Sequence, residues 1–301
     1  MLELSSKALK GLEEEAIYVL REARGQFERP AILFSGGKDS IVLTHLAKRA
    51  FSPGPLPFPL LHVDTGHNFP ETLAFRDRFA AEMGAELLVR RVQDTLDDGR
   101  AFEEAGPRAS RNALQSITLM DAIQELNLDA AIGGARRDEE KARAKERFFS
   151  LRTASGAWQP EAQRPEFGRH FDGAPPIGGH CRVFPISNWT ELDIWDYIAD
   201  RKIELPNLYF AHDREVFLRD GVLLARTPFT EPEPTELASI RSVRFRTVGD
   251  ATCTGAMASE ARDIPEVIEE LHRSRLSERA GRGDDRRSDA AMEDRKRQGY
   301  F

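Results

Sequence analysis

Ser35-Gly-Gly-Lys-Asp-Ser40 packs two glycines, a lysine, a carboxylate and two hydroxyls into six residues. That mixture can hold a phosphate. Glycine has no Cβ, so the main chain can take unusual φ/ψ values and bring successive N–H groups close to an anion. Lys38 adds a mobile positive charge, and Asp39 and Ser40 stand where helix N-caps belong. The spacing is not the G-x-x-x-x-G-K-[ST] of a Walker A loop. For these six residues alone, a plain turn with an exposed lysine is the other reading. A second set, Gly133-Gly-Ala-Arg-Arg-Asp-Glu-Glu-Lys141 with Arg143, Lys145 and Arg147, offers glycines for close approach and forked donors suited to phosphate or sulfate. Arg136 and Arg137 are its candidates for a second anion. Lys141, Arg143 and Lys145 read equally well as a solvated helix face with pairs such as Glu139–Arg143. In Asp64-Thr-Gly-His-Asn68, the Asp64 carboxylate could reach a ribose, orient a metal-bound water, or cap the next helix.

These residues need strands that end beside them. The apolar run Ala31-Ile-Leu-Phe34 leads into the glycines, and the amphipathic run Ser40 to Lys48 leads out, which predicts strand, turn and helix. Further strands are expected at 60–64, 86–92, 129–133 and 182–186, and helices at 6–24, 71–83, 111–126 and 190–199. Gly84 fits just past the second of these helices, and Thr190 with Asp193 forms a capping pair for the last. Strands alternating with helices imply an α/β fold, an open, mostly parallel sheet with helices on both faces. In such a sheet ligands bind beyond the carboxyl ends of the strands, where all three chemistry-bearing segments fall. The organisation expected is an N-terminal helix (1–27), a nucleotide-binding domain (28–225) and a C-terminal extension (226–301). Residues 153–180 break the rhythm with Gly, Pro and polar residues, which marks a functional or disordered loop. From about 274 the chain is dense in Arg and Asp, a composition expected to be disordered in isolation.

The chain has 301 residues, 31% of them charged, and a net charge of -7, which argues against a non-specific nucleic-acid binder. No run is long enough to span a bilayer and no apolar signal segment leads the chain, so a cytoplasmic protein is expected. Cys181 and Cys253 form no C-x-x-C, and suggest neither a disulfide framework nor a zinc site.

The first motif resembles the PP-loop of ATP pyrophosphatases. Four more segments follow it in order: Val63-Asp-Thr-Gly66, Gly134-Ala-Arg-Arg-Asp-Glu-Glu-Lys141, Arg182-Val-Phe-Pro-Ile-Ser-Asn-Trp-Thr-Glu191 and Arg295-Lys-Arg-Gln-Gly-Tyr-Phe301. The ordered set resembles the small subunit of heterodimeric, GTPase-coupled sulfate adenylyltransferase, within the PP-loop and phosphoadenylyl sulfate reductase superfamily. The resemblance implies adenylyl transfer from ATP, with Mg²⁺, to sulfate, and a partner resembling an elongation-factor GTPase on which GTP acts. Carried over by position, Ser35, Gly36, Gly37, Lys38, Asp39 and Ser40 would hold pyrophosphate, with Asp39 open to a role at Mg²⁺. Asp64 would lie near the nucleoside. Lys38, Arg136 and Arg137 would be catalytic, and Arg136, Arg137 and Arg152 would meet sulfate or the α-phosphate. The tail would dock on the partner or the site through Tyr300 and Phe301. A phosphoadenylyl sulfate reductase would need a reactive cysteine near the C-terminus, whereas Cys253 sits in Thr252-Cys-Thr-Gly255 without a Glu-Cys-Gly pattern. A tRNA-modifying PP-loop enzyme and a non-catalytic regulator of the GTPase are the remaining alternatives.

Overall fold

The computed structural model describes residues 2–139, 143–144, 146–164, 166, 171–175 and 177–273. Lys141, Lys145 and the tail with Arg295–Phe301 lie outside the described residues, so the docking expectation is not addressed. Ten strands and seven α-helices are found among them. Helix α1 (Leu2–Gln26) precedes β1 (Pro30–Leu33), α2 (Lys38–Ala50), β2 (Leu60–Asp64), α3 (Pro70–Met83), β3 (Leu87–Arg91), α4 (Val92–Asp97), α5 (Gln115–Glu125) and β4 (Ala130–Ile132). After these come β5 (Phe149–Arg152), β6 (His180–Val183) and α6 (Glu191–Arg201). Strands β7 (His212–Arg219), β8 (Val222–Ala225), β9 (Ser239–Phe245) and β10 (Gly255–Ala258) precede α7 (Ile264–Arg273).

Six strands form one sheet in the order β3-β2-β1-β4-β6-β5. All its pairs are parallel except β5–β6, where β5 runs antiparallel on the edge. Alternation along each strand sorts its side chains. Ile32, Leu60, Ile132 and Val183 enter a large core with α1, α2, α3 and α6, while Ala31, Leu61 and Ala131 pack against Leu119, Ala122 and Ile123 of α5. Helices therefore cover both faces, as the sequence pattern implies. Fully burying a side chain such as Ile198 of α6 is worth about 1.5–3 kcal/mol. The expected capping pair is present: Thr190 accepts the Asp193 N–H, and Asp193 accepts the Thr190 N–H. Gly84 ends α3 in the left-handed region at φ 64°. No helix among the described residues is long and apolar enough to cross a membrane.

Several boundaries differ from the sequence reading. The strand expected at 182–186 runs from His180 to Val183, because Pro185 cannot continue the ladder. Strand β5 was not anticipated, since four residues beside a polar loop carry too short a pattern. The N-terminal helix is part of the main body: Glu13 of α1 accepts from Tyr197 Oη at 2.8 Å and Arg201 at 2.9 Å, and pairs with Arg49 at 2.7 Å. The boundary set at 225/226 falls inside a closed, antiparallel barrel in the order β10-β8-β7-β9. Among the contacts that fasten the barrel to the sheet and its helices, two lie near the strand ends. Arg246, just past β9, pairs with Glu191 at the start of α6, and Ala251 N–H donates to His67 O at 2.9 Å beside an Asn68–Asp250 bridge.

Candidate active site

The chain leaves β1 toward β2 and β3 on one side and returns through β4 on the other, so the strand order reverses between β1 and β4. A crevice must open there, beyond the strand ends. A cavity of about 210 Å³ lies at that point. Its wall includes Ser35, Gly37, Lys38, Asp39 and Ser40 on one side and Gly133, Gly134 and Ala135 on the other.

The loop's form follows from its glycines. Gly36 has φ +76°, and a Cβ on it would lie 2.8 Å from Thr72 Cγ2, so only glycine fits. Gly134 lets its strand end approach the main chain of Asp39, to which a Cβ would come within 3.1 Å. Helix α2 starts at Lys38 with Gly37 as its N-cap and without a side-chain cap. Asp39 and Ser40 thus stand in the first turn rather than at the cap position. Ser40 Oγ donates to Gly37 O at 2.9 Å, and Ser35 Oγ accepts the Gly37 N–H at 3.2 Å. The N–H groups of a first helical turn lack intrahelical acceptors and face incoming anions with the positive end of the dipole. Lys38 N–H reaches Tyr209 Oη at 2.8 Å, and Lys38 is itself only 1% exposed.

Asp39 joins the two halves of the site. Its Oδ2 takes Lys38 Nζ at 3.0 Å and its Oδ1 takes Arg136 Nε at 2.7 Å. Arg136 is fully buried, with Asp138 and Glu139 farther off at 3.6 and 3.9 Å. With a cation on each oxygen, Asp39 does not fit a direct ligand for Mg²⁺ in this conformation.

Five expected site residues, Gly36, Asp64, Arg136, Arg137 and Arg152, are not on the cavity wall. The Arg137 guanidinium turns to Glu146 O at 2.8 Å and to Asn188 Oδ1, with its carbon 5.2 Å from the Phe148 ring centroid, and it does not line the cavity. Its donors brace the 137–148 segment and are not directed into the cavity. Asp64 accepts the Gly66 N–H at 2.8 Å and sits 3.6 Å from Arg76; Val63, not Asp64, reaches the cavity. Arg152 is buried on β5 against Glu146, off the cavity wall. Arg143, by contrast, makes the expected pair with Glu139 at 3.2 Å but is buried at 5% exposure on the cavity wall, so it is paired without being solvated. Sequence reasoning missed Asn112, Gln115, Phe184, Tyr209 and the Thr247-Val-Gly249 turn, all cavity-lining. The last of these comes from the barrel side and had a signal of its own, a glycine closing an alternating strand.

His62 steadies the entry to the loop. Its Nδ1–H donates to Phe34 O at 2.8 Å, and burial lowers its pKa to about 4. The unfolded chain takes up this proton below about pH 6.5, whereas the folded one resists until about 4, so stability falls with pH across that window. At pH 5 the loss from this group is about 2 kcal/mol relative to pH 7. Urea unfolding at both pH values should show that extra loss in the wild type and not in His62→Gln; equal losses would place its source elsewhere.

A profile of the phosphoadenosine phosphosulfate reductase domain matches residues 29–256. Sulfate adenylyltransferase subunit 2 of Mycolicibacterium vanbaalenii is 58% identical over 97% of this chain and 94% of that protein. The chain belongs to the sulfate adenylyltransferase subunit 2 family. The subunit 2 protein of Streptomyces lavendulae is 56% identical over 96% of this chain and 91% of its own length. A crystal structure of phosphoadenylyl-sulfate reductase from Candida auris aligns with 66% of this chain and 88% of its own, at TM-score 0.45 and 16% identity. Within the subunit 2 family, this chain keeps its two cysteines out of reach: both are buried, and burial pushes the Cys181 thiol far up. Neither is placed as an accessible thiolate nucleophile.

Proposed function

We propose that this chain is the catalytic subunit that moves the adenylyl group of MgATP to sulfate, opening sulfate assimilation, with a GTPase as its partner. One observation carries the reading: Lys38 on the cavity wall and the fully buried Arg136 meet through one carboxylate, Asp39, at the switch point of the sheet. A sulfate oxygen forms a bond to the α-phosphorus while the bond from that phosphorus to the bridging oxygen breaks. The electron pair leaves on pyrophosphate, where the first turn of α2 and Lys38 meet the charge. Sulfate reacts as the dianion, so no general base is needed, and alignment does most of the work. Mg²⁺ enters with the nucleotide as part of the substrate and screens its phosphates.

Sulfate is a weak nucleophile and the mixed anhydride formed is high in energy, so the equilibrium lies toward ATP. A partner that hydrolyses GTP supplies a driving force that this fold does not carry itself. Purified with that partner, the chain should release pyrophosphate from ATP only when sulfate is present, and faster with GTP. Absence of sulfate-dependent release from the confirmed complex would overturn the adenylyl-transfer reading; release indifferent to GTP would remove the coupling alone.

A further inference from the structure

Register on the sheet edge sets four polar side chains on one face. Ser150 pairs with Arg182 and Arg152 with His180, while the alternating Phe149, Leu151, Cys181 and Val183 enter the main core. All four polar residues are buried, none above 2% exposed. Glu146 Oε1 accepts from Ser150 Oγ at 2.7 Å and from Arg152 Nη2 at 2.9 Å. Both terminal nitrogens of Arg182, Nε of Arg152 and Nε2 of His180 have no hydrogen-bond partner among the described residues. Arg143, on the cavity wall, is close enough to act on Arg152 electrostatically. Desolvation, then the neighbouring Arg152, bring the Arg182 guanidinium down to about 9, against a partial opposing effect of Glu146.

Two guanidiniums at one carboxylate leave positive charge in a dry place. Buried donors without acceptors are costly, and their forks match a tetrahedral oxyanion. Location selects which one. In the order β1-β4-β6-β5, the cluster lies two to three strands from the loop that ends β1, or about 10–14 Å at the usual strand spacing. An in-line transfer wants its nucleophile on the far side of the α-phosphorus from pyrophosphate. We propose that Arg182 and Arg152 form the sulfate subsite, with Glu146 positioning Arg152 and His180 closing one side. The assignment rests on the adenylyl-transfer reading and replaces Arg137 with Arg182.

Two measurements test it on separate grounds. In thermal unfolding of the full chain, sulfate should raise the wild-type Tm above that in chloride at matched ionic strength, and Arg182→Met should lose the increment. In the complex with the partner, Arg182→Met should raise KM for sulfate about 10- to 100-fold, the worth of a lost charge-assisted contact, and leave KM for ATP within about twofold. Arg152→Lys, which keeps the charge and loses the fork, should raise KM for sulfate as well and serves if Arg182→Met does not fold. An equal Tm increment in wild type and variant, or a raised KM for ATP with sulfate unaffected, would overturn the subsite; the latter would give these arginines to a nucleotide phosphate. A wild-type complex that binds sulfate but makes no pyrophosphate would sink the catalytic reading and leave the anion subsite standing.

Discussion

Lys38→Ala should lower sulfate-dependent pyrophosphate release by about 10²–10³-fold, the usual cost of removing one preorganised group at developing charge. The lysine is the first residue of α2, so its charge adds to the N–H groups of the first helical turn rather than acting alone. Its ammonium is 1% exposed and fixed by Asp39 Oδ2 at 3.0 Å, which spares the reaction the work of ordering a flexible chain. The substitution leaves the Arg136–Asp39 pair at 2.7 Å in place, so the fold should survive. Circular dichroism and the urea midpoint report the fold, and pyrophosphate release at saturating ATP and sulfate reports the chemistry. A folded variant within about tenfold of wild type would show that the leaving group is held by something other than Lys38.

The parallel part of this fold was legible because its signals are local. Apolar runs of four or five residues ended in glycine at Ser35–Gly37 and Gly133–Gly134, and amphipathic helices followed with caps such as Thr190 and Asp193. Both walls of the cavity could thus be named from sequence, down to Lys38 and Asp39 on one side and Gly133 and Gly134 on the other. Side-chain direction could not. Arg136 and Arg137 are neighbours of one type; only the tertiary placement of Asp39 and of the Glu146 carbonyl sends one into the site and the other away. The barrel was passed over although its hairpin had a strong signal. Asp220-Gly221 lies between two apolar stretches, and both residues take positive φ, 50° and 77°, as a tight two-residue turn between β7 and β8 requires. Reading residues 226 onward as an extension separated Thr247–Gly249 from the site they help close. Arg182 was visible as part of a motif, but its role depends on an antiparallel edge strand whose pairing no local pattern announces.

Asp39→Asn should separate two roles for this carboxylate. The charge now balances Lys38 and a fully buried Arg136, and its loss leaves Arg136 with the more distant carboxylates of Asp138 and Glu139. Breaking a buried pair on one side costs about 3 kcal/mol or more, so the urea midpoint should drop with an unchanged slope. Affinity should move the other way. Lys38 and Arg136 then offer their full charge to an anion, so pyrophosphate should bind more tightly and inhibit at lower concentration. Turnover should fall, because both cations lose the carboxylate that orients them across the switch point. The Mg²⁺ concentration for half-maximal activity should stay where it is, since both Asp39 oxygens are committed to cations of the protein. A variant that needs much more Mg²⁺, with pyrophosphate affinity unchanged, would instead make Asp39 a metal ligand and require Lys38 and Arg136 to part from it when MgATP enters.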